Sequence, residues 1–221
     1  NYWYLKLINK AHGRICLANS PLFKQYNSVT LPGVVPANNE VLPQIEKPAL
    51  SFLLSGVLLP EISQLEMVFK AFSELPQCEL HITGTKGDEA MLSEYDSRYT
   101  NIHWHGQLPF EDYLELMHSV TFQLSTRNPE MPENQCNFPS KIIEALLHNR
   151  VIVSTIEYKQ LEGIKYFKST SQQDFFKQHI DAISHMSERA LMEYANQGKK
   201  VAEMFSTDVW NSTMNKIEDS K

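Results

Sequence analysis

Short apolar runs, each closing on small or polar residues and each followed by a helical period, recur between residues 49 and 154. The runs fall at 49–54, 79–83, 101–105, 120–124 and 151–154, and they end at Ser55-Gly56, Gly84, Gly106, Ser125 to Arg127 and Ser154-Thr155. Helical spacing fills 61–75, 88–96, 110–118 and 140–148; a short strand is expected at 164–167 and helices over 172–217. These strands are short and mostly apolar, and each ends on small or polar residues. Alternating with helices, they predict a parallel sheet covered on both sides, so the fold class is α/β. Ligands of such sheets bind in the crevice beyond the carboxyl ends of the strands. The five run ends are therefore the expected functional edge.

The clearest break in composition lies between Pro32 and Pro48, where proline blocks helix continuation and the chain reads as a linker. Ahead of it come a helical pattern at 2–10, a short strand at 14–18, a helical turn at 21–26 and a strand at 28–31. Twenty basic residues against 26 acidic ones give a net charge of −6, which excludes a bulk basic surface for nucleic acid and leaves room for a local phosphate pocket. Cys16, Cys78 and Cys136 cannot all pair and show no C-x-x-C spacing, which points to a reducing compartment and away from zinc. Apolar stretches such as 151–153 fall far short of the roughly 20 residues of a membrane helix. The expected location is cytoplasmic.

The strongest local feature is the segment Asn137-Phe138-Pro139-Ser140-Lys141-Ile142-Ile143-Glu144-Ala145. Pro139 suits a first helical turn, so the amides of Ser140, Lys141 and Ile142 would point out of the helix start toward an anion. Lys141 adds a positive charge, and Glu144 could accept hydrogen bonds from a diol such as ribose. The competing reading is an ordinary amphipathic helix with Glu144 on a solvated face. Arg127, at the end of the 120–124 run, could clamp a phosphate or sit in a surface ion pair. Gly56 and Gly84 permit close approach of a ligand, but neither G-x-G-x-x-G nor a Walker loop is present. His103 and His105 share one face of a strand, with His118 a helix later. Lacking a carboxylate or thiolate at ligand spacing, they read as half-buried strand residues rather than a metal site.

These residues resemble the donor-binding segment of family 4 glycosyltransferases of the GT-B fold, closest to the bacterial surface-polysaccharide branch. Besides 137–145 and the following 151–155, matching pieces occur in order at Ser55-Gly56, at Lys70-Ala71-Phe72, from Leu80 to Gly84, from Asn101 to Leu108 and at Ser125-Thr126-Arg127. The resemblance covers about residues 49 to 206. It implies a Rossmann-like domain holding a nucleotide-diphospho-sugar of the UDP or GDP type. Glu144 would hold the ribose, Ser140 and Lys141 the diphosphate, and Arg127 a phosphate or the sugar. Gln107 and Leu108 would contact the base, with Ser55, Gly56, Gly84, Asn137, Phe138 and Pro139 completing the donor site. Arg127 and Lys141 would stabilise the leaving group. No metal and no cofactor beyond the donor is implied, and transfer would retain anomeric configuration.

The resemblance departs at two places. Cys136 stands where many relatives have glutamate, and residues 57–64 contain no basic side chain where many carry Arg and Lys. The implied organisation is a remnant of an acceptor domain at 1–36, a linker at 37–48, the donor domain at 49–206, and a terminal helix at 207–221 packing toward the remnant. The chain is thus expected to be the donor half of a sugar transferase acting on a glycan or lipid-linked acceptor, in bacterial polysaccharide synthesis. Any membrane contact would belong to the absent acceptor domain. The alternatives are a non-catalytic nucleotide-sugar-binding module and the nucleotide half of a GT-B-like epimerase.

Overall fold

The computed structural model describes residues 13–18, 28–36, 43–131, 134 and 137–219. The helix expected at 2–10 and the turn at 21–26 lie outside this set, as does Cys136. Strands β1 (Arg14–Cys16) and β2 (Ser28–Thr30) form a small parallel pair. The main sheet contains β3 (Ser51–Val57), β4 (Glu79–Thr85), β5 (Ile102–Trp104), β6 (Phe122–Ser125), β7 (Val151–Ser154) and β8 (Phe167–Lys168). Every pairing is parallel, in the order β5-β4-β3-β6-β7-β8. The α/β expectation holds, and the strand order reverses at β3, which places a crevice beyond its carboxyl end.

Period-2 alternation explains why both faces are covered. Phe52, Leu54, Phe122, Leu124, Val151 and Val153 point into one apolar layer, whereas Leu53 and Ile152 point into the other. The first layer is closed by α2 (Leu65–Ser73) and α6 (Gln173–Ser184), with Phe52 stacked on Phe122 at 4.4 Å between ring centroids. The second is closed by α4 (Phe110–Ser119), α5 (Ser140–Leu147) and α8 (Gly198–Met204). Helix α3 (Glu89–Arg98) is capped by Asp88, whose carboxylate accepts from the amides of Ala90 and Met91.

Three segments differ from the sequence reading. The single helix expected at 61–75 is split into α1 (Pro60–Ser63) and α2, because Gln64 adopts a left-handed conformation (φ 52°). Thr126 at the end of β6 donates to the Ser63 carbonyl at 2.5 Å and fixes this break. The strand expected at 164–167 begins only at Phe167, since Ile164 and Tyr166 turn into the second layer and the Tyr166 hydroxyl accepts from the Tyr158 amide. The run at 172–217 divides into α6, α7 (Glu188–Met192), α8 and α9 (Thr207–Asp219), with Asn196 left-handed before α8 (φ 58°).

Asn196 also pins residues 43–48 at Ile45, part of the stretch expected from the sequence to be a linker. Its side-chain oxygen accepts from the Ile45 amide at 2.8 Å, and its amide donates to the Ile45 carbonyl at 2.9 Å. Upstream, the Val35 amide donates to the Phe205 carbonyl at 2.7 Å. Helix α9 lies beside β2 and against the backbone at Gly13, where an added Cβ would stand 2.0 Å from Ile217.

Candidate functional site

A cavity of about 530 Å³ opens at the reversal point, beyond the carboxyl ends of β3, β4 and β6 and beside the start of α5. It is within the usual size range of small-molecule sites. Of the twelve site residues named from the sequence, ten line it: Ser55, Gly56, Gly84, Gln107, Leu108, Arg127, Pro139, Ser140, Lys141 and Glu144. Asn137 and Phe138 do not. Phe138 is buried edge-on to Tyr158 (4.9 Å between centroids), so it anchors the segment before α5 in the core and has no face left for a ligand.

Two glycines make the floor. Gly56 and Gly84 are register partners on β3 and β4, and a Cβ on Gly84 would fall 2.0 Å from the Gly56 carbonyl oxygen. Gly56 has φ 120°, and a side chain there would press on the Lys141 stem at 3.2 Å. Only hydrogen fits at either position, so the backbone is bare beside the start of α5. The turn carrying Gln107 and Leu108 is tied to the same edge, because the Gly106 carbonyl accepts from Thr83 Oγ1 (2.7 Å) and from the Gly84 amide (3.1 Å).

The helix start differs in detail from expectation. Pro139 occupies the N-cap with extended ψ (117°), not the first helical turn, and Ser140 is the first helical residue. Ile142 spends its amide on the Pro139 carbonyl at 3.0 Å, because the first turn is tight. That leaves the amides of Ser140 and Lys141 at the positive end of the helix dipole. Three residues apart, Lys141 and Glu144 share a helix face. The Lys141 ammonium lies 4.3 Å from the Tyr113 ring centroid. Burial draws its pKa below the ordinary lysine value, with Glu144 opposing. Glu144 accepts from the Tyr113 hydroxyl at 3.0 Å. Across the cavity, Arg127 donates to Asn134 Oδ1 at 3.2 Å while Thr155 Oγ1 holds its carbonyl at 2.5 Å.

Sequence reading missed Tyr113 and Gln123, both of which line the cavity. Gln123 interrupts the apolar run of β6 and is buried; its amide donates to the carbonyls of Leu53 and Leu124 (both 3.0 Å) and to Ser55 Oγ (3.3 Å). That interruption was the available signal. Tyr113 gave none, sitting on an apolar helix face 31 residues from Glu144.

Away from the cavity, the parallel register sets His81 opposite His103, and His81 Nδ1 meets His105 Nε2 at 3.0 Å. His118 instead pairs with His148 at 2.6 Å. Among the described residues no group of three or more His, Cys, Asp or Glu is arranged to hold a metal ion. Burial first, then repulsion from His103 and His105, push His81 down to about 4, against Glu79. Burial, His118 and Arg150 push His148 to about 4 as well. Both values lie below the roughly 6.5 of an unfolded imidazole, so between those limits the unfolded chain binds more protons. Stability is fully present above pH 6.5 and is lost as pH falls toward 4. After discounting for solvent screening, we expect about 1 kcal/mol per imidazole. Urea unfolding at pH 7 and pH 4.5, on the protein and on His81→Gln, measures it. A slope unchanged by the substitution would remove His81 from the account.

No family model matches the sequence, and no curated protein matches it either. Solved structures do. Anabaena HepE in complex with UDP-glucose is 15% identical with a TM-score of 0.74, over 100% of this chain and 67% of that one. S. aureus TarM is 15% identical with a TM-score of 0.67, over 99% of this chain and 45% of its own. The pneumococcal O-GlcNAc transferase GtfA, in complex with UDP and GlcNAc, is 17% identical with a TM-score of 0.63, over 99% and 47%. The chain therefore has the GT-B glycosyltransferase fold, and it spans about half the length of the last two proteins. No helix among the described residues is long and apolar enough to cross a membrane.

Proposed function

We propose that the chain is the donor-binding portion of a retaining, metal-independent glycosyltransferase that takes a sugar from a UDP- or GDP-sugar. The observation that carries this reading is the convergence of Arg127, Lys141, Glu144, the α5 start and the Gly56–Gly84 floor on one cavity at the sheet's reversal point. Each part has a task in nucleotide-sugar chemistry. The amides of Ser140 and Lys141 receive the diphosphate, and the Lys141 and Arg127 cations stabilise the charge that develops as it departs. Glu144 accepts from the ribose hydroxyls, the Gln107-Leu108 backbone reads the base, and Ser55 borders the diphosphate. UDP and UDP-glucose in the similar structures support this donor class.

In the parent enzyme the sugar would pass to a glycan or lipid-linked acceptor held by a further domain, within cytoplasmic bacterial polysaccharide assembly. That domain would also make any contact with the inner face of the membrane. A non-catalytic nucleotide-sugar-binding module is the second reading. It is favoured by the absence of Lys and Arg from residues 57–64, which leaves the cavity rim at Val57 apolar and 42% exposed.

Thermal unfolding in EDTA with UDP, GDP, UDP-glucose, UDP-GlcNAc and GDP-mannose tests the donor reading. A ligand at about a hundred times its Kd adds about 2.7 kcal/mol, a shift of several degrees. Stabilisation by one base family, unchanged on adding magnesium, is expected; none from any of them contradicts the reading.

A further inference from the structure

Glu144 is the last member of a chain of side chains rooted in the sheet. Gln123 is 2% exposed, and its amide nitrogen lies within hydrogen-bond distance of the Leu53 and Leu124 carbonyls (both 3.0 Å) and of Ser55 Oγ (3.3 Å), its two hydrogens shared among the three. Ser55 stands beside the Tyr113 hydroxyl. Tyr113 is 8% exposed and donates to Glu144 Oε2 at 3.0 Å. Burial foremost, and then the Glu144 carboxylate, push the phenol's pKa well above its ordinary value, so the hydroxyl remains a donor. Lys141 lies over the same ring and confines it from the cavity side.

A glutamate on a helix surface otherwise samples several rotamers, each immobilised at an entropic cost on binding. Here a buried donor holds one carboxylate oxygen, so the other keeps a constant direction at the cavity wall. The free oxygen and the second lone pair of the held one together match a vicinal diol, which presents two O–H donors at adjacent carbons. A 2′-deoxyribose has only one of the pair.

Resting on the donor reading above, we propose that Tyr113 is a positioning residue that presents Glu144 to the ribose diol, and that the site thereby selects ribonucleoside diphosphates over their 2′-deoxy counterparts. The proposal puts selectivity for the donor's pentose in a residue that does not touch the reacting atoms.

Calorimetric titration with UDP, GDP, 2′-deoxy-UDP and 2′-deoxy-GDP tests it on the protein and on Tyr113→Phe, which keeps the ring and loses only the hydroxyl. The protein should bind the ribonucleotide of its preferred base about tenfold more tightly than the deoxy analogue. Tyr113→Phe should lose most of that preference by weakening ribonucleotide binding alone. A merely structural role would weaken both ligands equally, and that result overturns the proposal, as does equal binding of the two by the protein itself. Absence of binding by all four overturns the donor reading beneath it. Should Tyr113→Phe fail to fold, Ser55→Ala removes the adjacent link; a reduced preference supports the chain, and an unchanged one overturns it.

Discussion

Replacing Arg150 with methionine should lower stability by about 3 kcal/mol. Arg150 is 5% exposed, and its guanidinium donates to four carbonyls: His148 (2.8 Å), His118 (3.0 Å), Val120 (2.7 Å) and Pro43 (3.3 Å). It thus gathers the ends of α4 and α5 and the linker at the edge of the sheet away from the cavity. Burial lowers its pKa to about 10, which leaves it charged at neutral pH. Methionine fills similar volume but returns no donor, and a buried acceptor left without a partner costs about 1–3 kcal/mol. Four such losses do not add fully, since carbonyls keep other partners and the linker can open to water. For a domain of this size the expected loss is a fall in Tm of about 6–12 °C. A change below about 1 kcal/mol by urea unfolding would show that the four bonds are replaced by solvent. Because this group stands at the far edge, nucleotide affinity measured on the folded variant should be unaltered.

Glu144→Gln should have the opposite profile. Glutamine keeps the shape and can still accept from Tyr113, so the fold should persist. The negative charge is lost, however, and hydrogen bonds to a charged acceptor are worth about 1.5–3 kcal/mol. Donor-nucleotide Kd should rise about 10- to 100-fold, with the melting temperature of the free protein nearly unchanged. Unaltered affinity on calorimetric titration would remove Glu144 from the ribose site. Together the two variants separate what holds the sheet from what holds the ligand.

The fold was legible because its signal is periodic and local. Runs such as 151–153 are apolar throughout, as a sheet covered on both faces requires, and Gly56 near the end of β3 and Gly106 beyond β5 mark the binding edge. Much of the cavity could be read for the same reason: Ser140, Lys141 and Glu144 belong to one helix start, and strand-end residues such as Gly56 and Gly84 converge wherever parallel strands lie in register. What stayed hidden depends on tertiary neighbours. Gln64 takes a left-handed conformation that its residue type does not announce, and Thr126, bonded to the carbonyl of Ser63 63 residues earlier, holds the break. Phe138 lies between two cavity-facing stretches yet packs inward on Tyr158. The meeting of His81 with His105 follows from strand pairing that no local spacing encodes. Tyr113 became part of the site only when α4 was laid against α5.

The central claim, that a nucleoside diphosphate occupies the cleft at the reversal point of the sheet, is tested most directly by amide chemical-shift mapping of the isotopically labelled chain titrated with UDP and GDP in EDTA. Saturable shifts are expected at Gly56, Gly84, Gln107, Leu108, Ser140 and Lys141 with one of the two nucleotides, and little change at Arg150 and the neighbouring linker. Shifts confined to other surfaces, or spectra unchanged at millimolar nucleotide, would contradict it.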